Sequence, residues 1–282
     1  MGVNLEDAGP RAAWAVLPLR TPTLPPATTT NTTLVDGWVV DPATPFRDAR
    51  ATLLEAVRRR GADGIVLTHH HPDHVGAATW LAAEIGIPIA AHPRTAELLA
   101  DRVRVDVTLT DGQALGGTDW EVLHTPGHAS GHIVLHHAAT ARLIVGDMVA
   151  STGTIVIDPP DGHMATYLAQ LRRLRALAPR VLVPAHGAVI EAASGSASGA
   201  TPDAVLGFYI QHREARRALV LGALGARPDD LGAITARAYP ELAPALLPLA
   251  RRSALAHLIE LAEDGRAIAE GEPGTEATWR RA

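Results

Sequence analysis

The stretch HHHPDH, residues 69–74, directly follows the apolar run IVLT of residues 65–68. It places the imidazoles of His69, His71 and His74, among four histidines, within six residues of the chain, together with the carboxylate of Asp73. Imidazole and carboxylate groups are the ligands that hold Zn²⁺ and similar ions. Because the stretch is internal and interrupted by proline and aspartate, it is not typical of a purification tag. It predicts a metal site.

This histidine-rich stretch lies at a predicted junction of two elements. A helical pattern begins at His74 after the apolar strand and continues to Ile85, and Asp73 is the expected N-cap. In α/β proteins, ligands and substrates usually bind where a strand ends and the next helix begins.

Three later segments each bring one ligand-type residue to a turn that follows an apolar run. They are HTPGHASGH (124–132) with His128, LIVGDM (143–148) with Asp147, and VLVPAHG (181–187) with His186. Loops at the rim of a sheet present side chains to a common point in this way.

As a set, the pattern HxHxDH, a distant His, Gly-Asp and a final His before Gly resembles the metallo-β-lactamase fold superfamily, in its glyoxalase-II-like branch. The resemblance spans roughly residues 31–187. It implies an α+β fold, the αββα sandwich of two packed mixed β-sheets with flanking helices. It also implies two divalent metal ions, with Zn²⁺ expected and Fe or Mn as alternatives.

The resemblance implies a role for each residue of the pattern. His69, His71 and His128 would bind the first ion, and Asp73, His74 and His186 would bind the second, with Asp147 bridging. A hydroxide shared by the two ions would attack the substrate. Asp147, which bridges the ions, and Asp73, which would orient the hydroxide, are therefore the expected catalytic residues.

Other polar residues near the motifs have alternative roles. Asp41 resembles an outer carboxylate that fixes a ligand imidazole, and the alternative is an ordinary turn residue before Pro42. His163 lies in a segment that borders the substrate mouth of relatives, so it is a candidate substrate contact, with a plain loop histidine as the alternative. His124 and His132 flank the PGH turn and are expected to brace it by hydrogen bonds.

Strand-like and helix-like patterns alternate to about residue 190. The strand-like runs are 33–40, 64–68, 88–91, 105–109, 121–124, 133–136, 142–145, 154–157 and 181–183, and the helix-like runs are 47–60, 74–85, 93–99 and 164–177.

The remainder of the chain predicts a second domain. We expect a catalytic domain over 1–192, a small-residue linker over 193–202 and a winged-helix-like domain over 203–282. Helical patterns at 203–224, 231–238 and 244–264 precede a hairpin-like end at 267–280, which resembles the winged-helix domain of lactamase-beta-2-like hydrolases. Because this part has ten arginines against eleven acids, packing over the active site is favoured over DNA binding.

Composition narrows the class of protein. The chain has no cysteine and a net charge of −5, which excludes disulfides and thiolate ligands and argues against a general nucleic-acid-binding surface. No apolar run approaches the roughly 18–20 residues of a membrane helix, and the first thirty residues lack a secretory pattern. A cytoplasmic protein without a membrane partner is expected. All 25 basic residues are arginine, as in a GC-rich bacterial genome.

The resemblance to the glyoxalase-II-like branch implies a hydrolase that attacks an ester- or thioester-type carbonyl of a small-molecule substrate. The Arg/Lys-rich signature expected of glutathione binding is not evident. One alternative is an endoribonuclease-like phosphodiesterase acting on single-stranded RNA, although aromatic residues make up only 4% of the chain. Weak β-lactamase activity and a non-catalytic scaffold are further alternatives. The oligomeric state has no signature in the sequence.

Overall fold

The computed structural model describes residues 14–191 and 200–282. The acidic start of the chain and most of the predicted linker, 193–202, lie outside the described residues. The contacts divide the chain into two compact units. The first comprises Met1–Thr125, Gly131–Thr154 and Pro179–Pro202, and the second comprises Pro126–Ser130, Ile155–Ala178 and Asp203–Ala282. The domain boundaries expected from the sequence stay a prediction.

The first unit contains a six-stranded sheet whose strands lie side by side in chain order. They are β1 (Ala15–Arg20), β2 (Thr29–Val35), β3 (Trp38–Val40), β4 (Gly64–Leu67), β5 (Ile89–Ala91) and β6 (Val107–Thr108). The first three are antiparallel neighbours, and β3 to β6 are parallel. The helices of this unit are α1 (Arg47–Arg60), α2 (Pro72–Val75), α3 (Ala78–Ile85) and α4 (Pro93–Leu99).

A second sheet of the first unit has five strands in the order β11-β10-β9-β8-β7. Their bounds are β7 (Trp120–His124), β8 (Ile133–His137), β9 (Arg142–Gly146), β10 (Val181–Pro184) and β11 (Ile190–Glu191). Only β9 and β10 pair in parallel, so this sheet is mixed, as is the first.

The core of the first unit explains why β4 is apolar throughout. Ile65 and Leu67 pack in a cluster with Leu53 of α1 and Leu81 of α3. Val66, which points to the opposite face, packs in a cluster with residues of the second sheet such as Ile144 and Val183. Helices therefore cover one face of the first sheet and the second sheet covers the other, as the sequence predicted.

The second unit is mainly helical and carries a small three-stranded sheet. Its helices are α5 (Met164–Ala176), α6 (Pro202–Ala223), α7 (Leu231–Ala238) and α8 (Leu247–Glu263), and its strands are β12 (Asp229–Asp230), β13 (Ala267–Glu270) and β14 (Thr278–Arg281). Trp279 of β14 is fully buried in a core shared with α7 and α8. The helices and the terminal hairpin expected after residue 203 are confirmed to within a few residues.

One predicted strand and one predicted helix each correspond to two elements in the structure. The strand expected over 33–40 is the hairpin of β2 and β3, because Asp36 and Gly37 have φ of 43° and 82° and form a tight turn. The helix expected over 74–85 is interrupted between α2 and α3, where the amide of Ala77 donates to Pro42 O at 2.7 Å instead of continuing the helix. Asp73 lies inside the first turn of α2 and does not cap it.

The predicted strand over 154–157 is also wrong, because these residues belong to no sheet. Their backbone acceptors are used by side chains: Arg213 donates to Ile155 O, and His128 donates to Val156 O. An apolar, β-branched run indicates an extended backbone but cannot indicate what its hydrogen bonds meet.

Candidate metal centre

The carboxylate of Asp41, just after β3, is buried beside the end of β4. Its Oδ1 accepts from the amide of Thr68 at 2.7 Å, and its Oδ2 accepts from the Thr68 hydroxyl at 2.6 Å. The same Oδ2 accepts from His74 Nδ1 at 2.8 Å. Asp41 therefore fixes both the end of β4 and the ring of His74, which is the contact that an orienting carboxylate requires.

This contact leaves His74 with one ring nitrogen aimed into the cluster. His74 is completely buried, and its Nε2 makes no hydrogen bond to any described residue. Nε2 lies 3.6 Å from Asp147 Oδ1. A buried ring nitrogen without a hydrogen-bond partner is costly, and metal binding would remove that cost.

His186 reaches the same carboxylate from the end of β10. Its Nδ1 donates to the carbonyl oxygen of Thr29 at 3.1 Å, so that Nε2 points to the cluster. Nε2 lies 3.4 Å from Asp147 Oδ1 and 3.6 Å from Asp73 Oδ2. His74 and His186 thus present equivalent nitrogens to one oxygen of Asp147.

The turn before Asp147 requires glycine. Gly146 has a φ of 48°, and a Cβ on it would lie 2.6 Å from His132 Nε2 and 3.0 Å from Thr68 Oγ1. His132 Nε2 accepts from the amide of Asp147 at 3.1 Å, so its Nδ1 carries the proton and donates to Thr125 Oγ1 at 2.8 Å. His132 braces this turn and Thr125. The sequence predicted hydrogen bonds of His132 beside the PGH turn, which Thr125 precedes, but not its contact with the Gly146-Asp147 turn.

His69 and His71 face each other at the end of β4. Because the Thr68 hydroxyl donates to Asp41, its oxygen accepts from His69 Nδ1 at 3.0 Å. His69 Nε2 therefore points away from Thr68 and lies 2.9 Å from His71 Nδ1. His70, between them, is not part of the candidate ligand groups.

The buried carboxylates and imidazoles of the cluster stabilise each other's charged forms. Burial opposes protonation of His74, but the carboxylates of Asp147 and Asp41 outweigh it and raise the pKa of His74 well above its ordinary value. Burial likewise opposes ionisation of Asp147, but the charge of His74 and the hydrogen bond of His186 hold the pKa of Asp147 well below its usual range. An anionic carboxylate beside cationic imidazoles is the charge arrangement that a bound cation would replace.

Two groups of ligand atoms in the first unit fit a metal ion. His69, His74 and Asp147 form one, and Asp73, His74 and His186 form the other; within each, the ligand atoms lie within 4.8 Å of one another. All of these are nitrogen and carboxylate oxygen ligands, the set that suits zinc, iron and manganese. The residues present therefore fit a divalent metal ion.

The other predicted site residues belong to the second unit. His128 donates from Nδ1 to Val156 O at 2.7 Å, which leaves Nε2 as its ligand atom. His163 caps α5 and contacts Glu263 through Nε2 at 2.9 Å. Their roles as metal ligand and substrate contact stay predictions.

Sequence reasoning missed Thr68, whose hydroxyl connects Asp41 to His69. The available signal was its position at the end of the buried strand, directly before the first histidine of the motif. It also missed the carbonyl of Thr29, which no sequence pattern marks because any residue type supplies that oxygen.

Comparisons with known proteins identify the family to which the chain belongs. Residues 26–186, more than half of the chain, match the family model described as metallo-beta-lactamase superfamily, and residues 231–279 match the beta-lactamase associated winged helix domain. The chain belongs to the metallo-beta-lactamase superfamily. Its mixed sheets and C-terminal winged helix are therefore the fold that the sequence predicted.

Individual relatives extend the match. A hydroxyacylglutathione hydrolase from Acidiphilium cryptum is 37% identical over 51% of this chain, which corresponds to 56% of that protein, a little over half its length. A beta-lactamase-like protein 2 homolog from Drosophila melanogaster is 29% identical over 72% of this chain and 70% of that protein. The crystal structure of a metallo-beta-lactamase family protein from Thermus thermophilus superposes with a TM-score of 0.74 at 24% identity, over 95% of this chain and 98% of that one.

Several relatives, the hydroxyacylglutathione hydrolases among them, are hydrolases by name, and the ligand groups of this chain are consistent with metal binding. Among the described residues, none of the helices has the length and apolar character needed to cross a membrane.

Proposed function

We propose that the protein is a dinuclear-metal hydrolase that cleaves an ester- or thioester-type carbonyl. The observation that carries this proposal is the convergence of His74 Nε2 and His186 Nε2 on one oxygen of Asp147, at 3.6 and 3.4 Å. Each imidazole is fixed through its other nitrogen, so the ring orientation does not depend on a ligand.

The proposed ligand sets follow the sequence motifs. His69, His71 and His128 would hold one ion, Asp73, His74 and His186 would hold the other, and Asp147 would be shared between them. Zn²⁺ is the proposed ion, with Fe and Mn as the alternatives that the same ligands accept. A pair of divalent ions supplies a water nucleophile at neutral pH and positive charge for the developing oxyanion.

The chain's own residues contribute orientation and proton placement. Asp41 holds the proton of His74 on Nδ1, so that Nε2 offers its lone pair to a metal. The amide of Asp147 donates a hydrogen bond to His132, which fixes the backbone at the Gly146 turn and so limits movement of the carboxylate. Asp73, partly exposed and close to His186, is the carboxylate proposed to accept a hydrogen bond from the attacking water.

For the substrate, we propose a small molecule with a thioester or ester. The relative named hydroxyacylglutathione hydrolase supports a thioester, although the sequence lacks an evident glutathione signature. Single-stranded RNA is the second candidate, favoured by the match to a winged helix domain over residues 231–279. Residues 203–282 carry ten arginines and eleven acids, which counts against tight phosphate binding. A cytoplasmic location is part of the proposal.

A parallel turnover assay tests the proposed function. Zinc-loaded wild-type protein is incubated with thioester, ester, single-stranded RNA and β-lactam probes, beside Asp147→Asn and a control, His136→Ala, which alters a histidine of β8 outside the ligand groups. We expect carbonyl-ester turnover that falls at least about 100-fold in Asp147→Asn and is unchanged in the control. Cleavage of RNA alone would select the second candidate, and turnover of no probe by any metal form would contradict a hydrolase.

A further inference from the structure

A nine-residue segment of the second unit, 155–163, contacts the loop that carries His128. Val156 O accepts from His128 Nδ1 at 2.7 Å, and the amide of His163 donates to Gly127 O at 2.7 Å. The carboxylate of Asp161 accepts from both the amide and the hydroxyl of Ser130. The 155–163 segment therefore fixes the loop on both sides of His128.

The same segment is fixed from its other side by the helices of the second unit. Arg213 of α6 donates to Ile155 O. Arg252 and Glu263 of α8 pair with Asp158 at 3.0 Å and with His163 at 2.9 Å. The two α8 contacts lie at the surface, where such polar contacts contribute little. The contact of Arg213 is different because it is buried.

Arg213 is an unusual cation. Only 4% of it is exposed, and no carboxylate of the described residues lies within salt-bridge distance. Its Nε is buried without a hydrogen-bond partner in the described part of the chain, and its guanidinium lies 5.7 Å from the ring centre of Tyr167. Burying such a charge is costly. Its one hydrogen bond, to Ile155 O, is charge-assisted and therefore strong.

We propose that Arg213 is a positioning residue for the metal ligand His128. It fixes the carbonyl of Ile155, and the next carbonyl along the chain, that of Val156, receives the Nδ1 proton of His128. The orientation of that carbonyl decides both the tautomer and the direction of Nε2. The helix that carries Arg213 thus fixes the orientation of one proposed metal ligand, and this inference rests on the proposed function.

The loop itself leaves His128 little freedom to compensate. Gly127 has a φ of 137°, and a Cβ on it would lie 2.3 Å from the Cα of Tyr167 in α5. The loop is therefore packed directly against helix backbone. A displacement of Val156 would change the hydrogen bond of His128 rather than be absorbed by the loop.

The experiment compares metal binding by wild type, His128→Ala, Arg213→Met, Arg213→Lys and Arg216→Met. The last is the matched control: Arg216 is on the same helix, but its guanidinium lies over the ring of Tyr239, at 5.2 Å from the ring centre. Dissociation constants are measured by competition with a chromophoric chelator, and the geometry of the site is followed by the visible spectrum of the Co²⁺-loaded protein.

We expect His128→Ala to lose one of two binding events and Arg213→Met to weaken that same event about 10–100-fold, with a changed Co²⁺ spectrum. Arg213→Lys should restore most of the affinity, since a lysine can also donate to Ile155 O. Arg216→Met should bind as wild type does.

Wild-type affinity and spectrum in Arg213→Met, or an equal loss in Arg216→Met, would overturn the inference while leaving the proposed function intact. Wild-type protein that binds no metal would overturn both. If Arg213→Met does not fold, as judged by circular dichroism, Arg213→Gln decides, because it removes the charge and shortens the donor to Ile155 O while keeping a polar side chain. Weakening of the same event supports the inference, and unchanged affinity overturns it.

Discussion

Asp41 shows how much of the site depends on one buried carboxylate. It accepts three hydrogen bonds, two from Thr68 and one from His74, and it is almost completely buried. A carboxylate can accept all three, whereas an asparagine has only one acceptor oxygen. The sequence indicated that Asp41 orients an imidazole, but not that it also anchors the end of β4.

Asp41→Asn should weaken metal binding about 10–100-fold, because the Nδ1 proton of His74 loses its anionic acceptor. The matched control is Asp36→Asn, since Asp36 is also a positive-φ aspartate at an end of β3, and its side chain accepts from Trp120 Nε1 at 2.8 Å. Chelator competition measures both. Equal affinities in the two variants would show that His74 does not depend on Asp41.

The pKa of His92 leads to a prediction about how the stability of the fold depends on pH. Burial, together with the charge of the stacked ring of His124 at 3.9 Å, lowers the pKa of His92 to about 4. Because the folded state then binds the proton less readily than the unfolded chain, this contribution to stability is present above about pH 6.5 and is lost as the pH falls to about 4.

In the wild type, the amide of Arg94 donates a hydrogen bond to the side chain of His92. His92→Asn keeps an acceptor for this amide and removes the titrating group. Urea unfolding of the metal-free proteins at several pH values between 7 and 4 should show a smaller loss of stability in the variant. Parallel curves for variant and wild type would contradict the lowered pKa of His92.

The elements were predicted best where a periodic apolar pattern coincides with clear ends. Both α1 and α4 begin and end at the predicted residues, because proline, glycine or polar residues flank a regular pattern. The errors at 74–85 and 154–157 share another cause: a backbone group bonds to a partner distant in the chain or to a side chain, which local periodicity does not contain. The error at 33–40 is local, because the tight turn at Asp36 and Gly37 divides one apolar run into two strands.

Two glycines distinguish the cost of backbone strain from the cost of a steric clash. Gly127→Ala places a Cβ 2.3 Å from the backbone of Tyr167, whereas Gly86→Ala, at the end of α3 with a φ of 72°, meets nothing within 4 Å. We expect about 1 kcal/mol of destabilisation in Gly86→Ala and about 2–4 kcal/mol in Gly127→Ala. Urea unfolding measures both free energies, and equal losses would show that the loop is not packed against α5.

For the molecule as a whole, the motifs predicted the superfamily by resemblance, and that resemblance implied that His69, His74, Asp147 and His186 lie near one another, as the ligand groups have them. What it could not predict is the grouping of 126–130 and 155–178 with the C-terminal helices in one compact unit. That grouping depends on contacts between segments far apart in the chain, such as Arg213 with Ile155. This grouping also suggests a structural role for the C-terminal helices.

The charge balance of residues 203–282 leads to a prediction about nucleic-acid binding. With ten arginines against eleven acids over 203–282, few phosphates can be neutralised, so binding of single-stranded RNA should be weak. A plot of log K against log salt concentration should have a slope no steeper than about −2. Titrations at several salt concentrations test this, and tight binding with a steep slope would favour the RNA candidate.

The number of metal ions per chain tests the central claim most directly. Purified protein is loaded with zinc, separated from free metal and analysed for its elements, beside Asp147→Asn treated identically. The two proposed ligand sets that share Asp147 predict about two ions per chain in wild type and fewer in the variant. Wild-type protein that retains no zinc, or a variant that retains as much as wild type, would contradict a dinuclear centre bridged by Asp147.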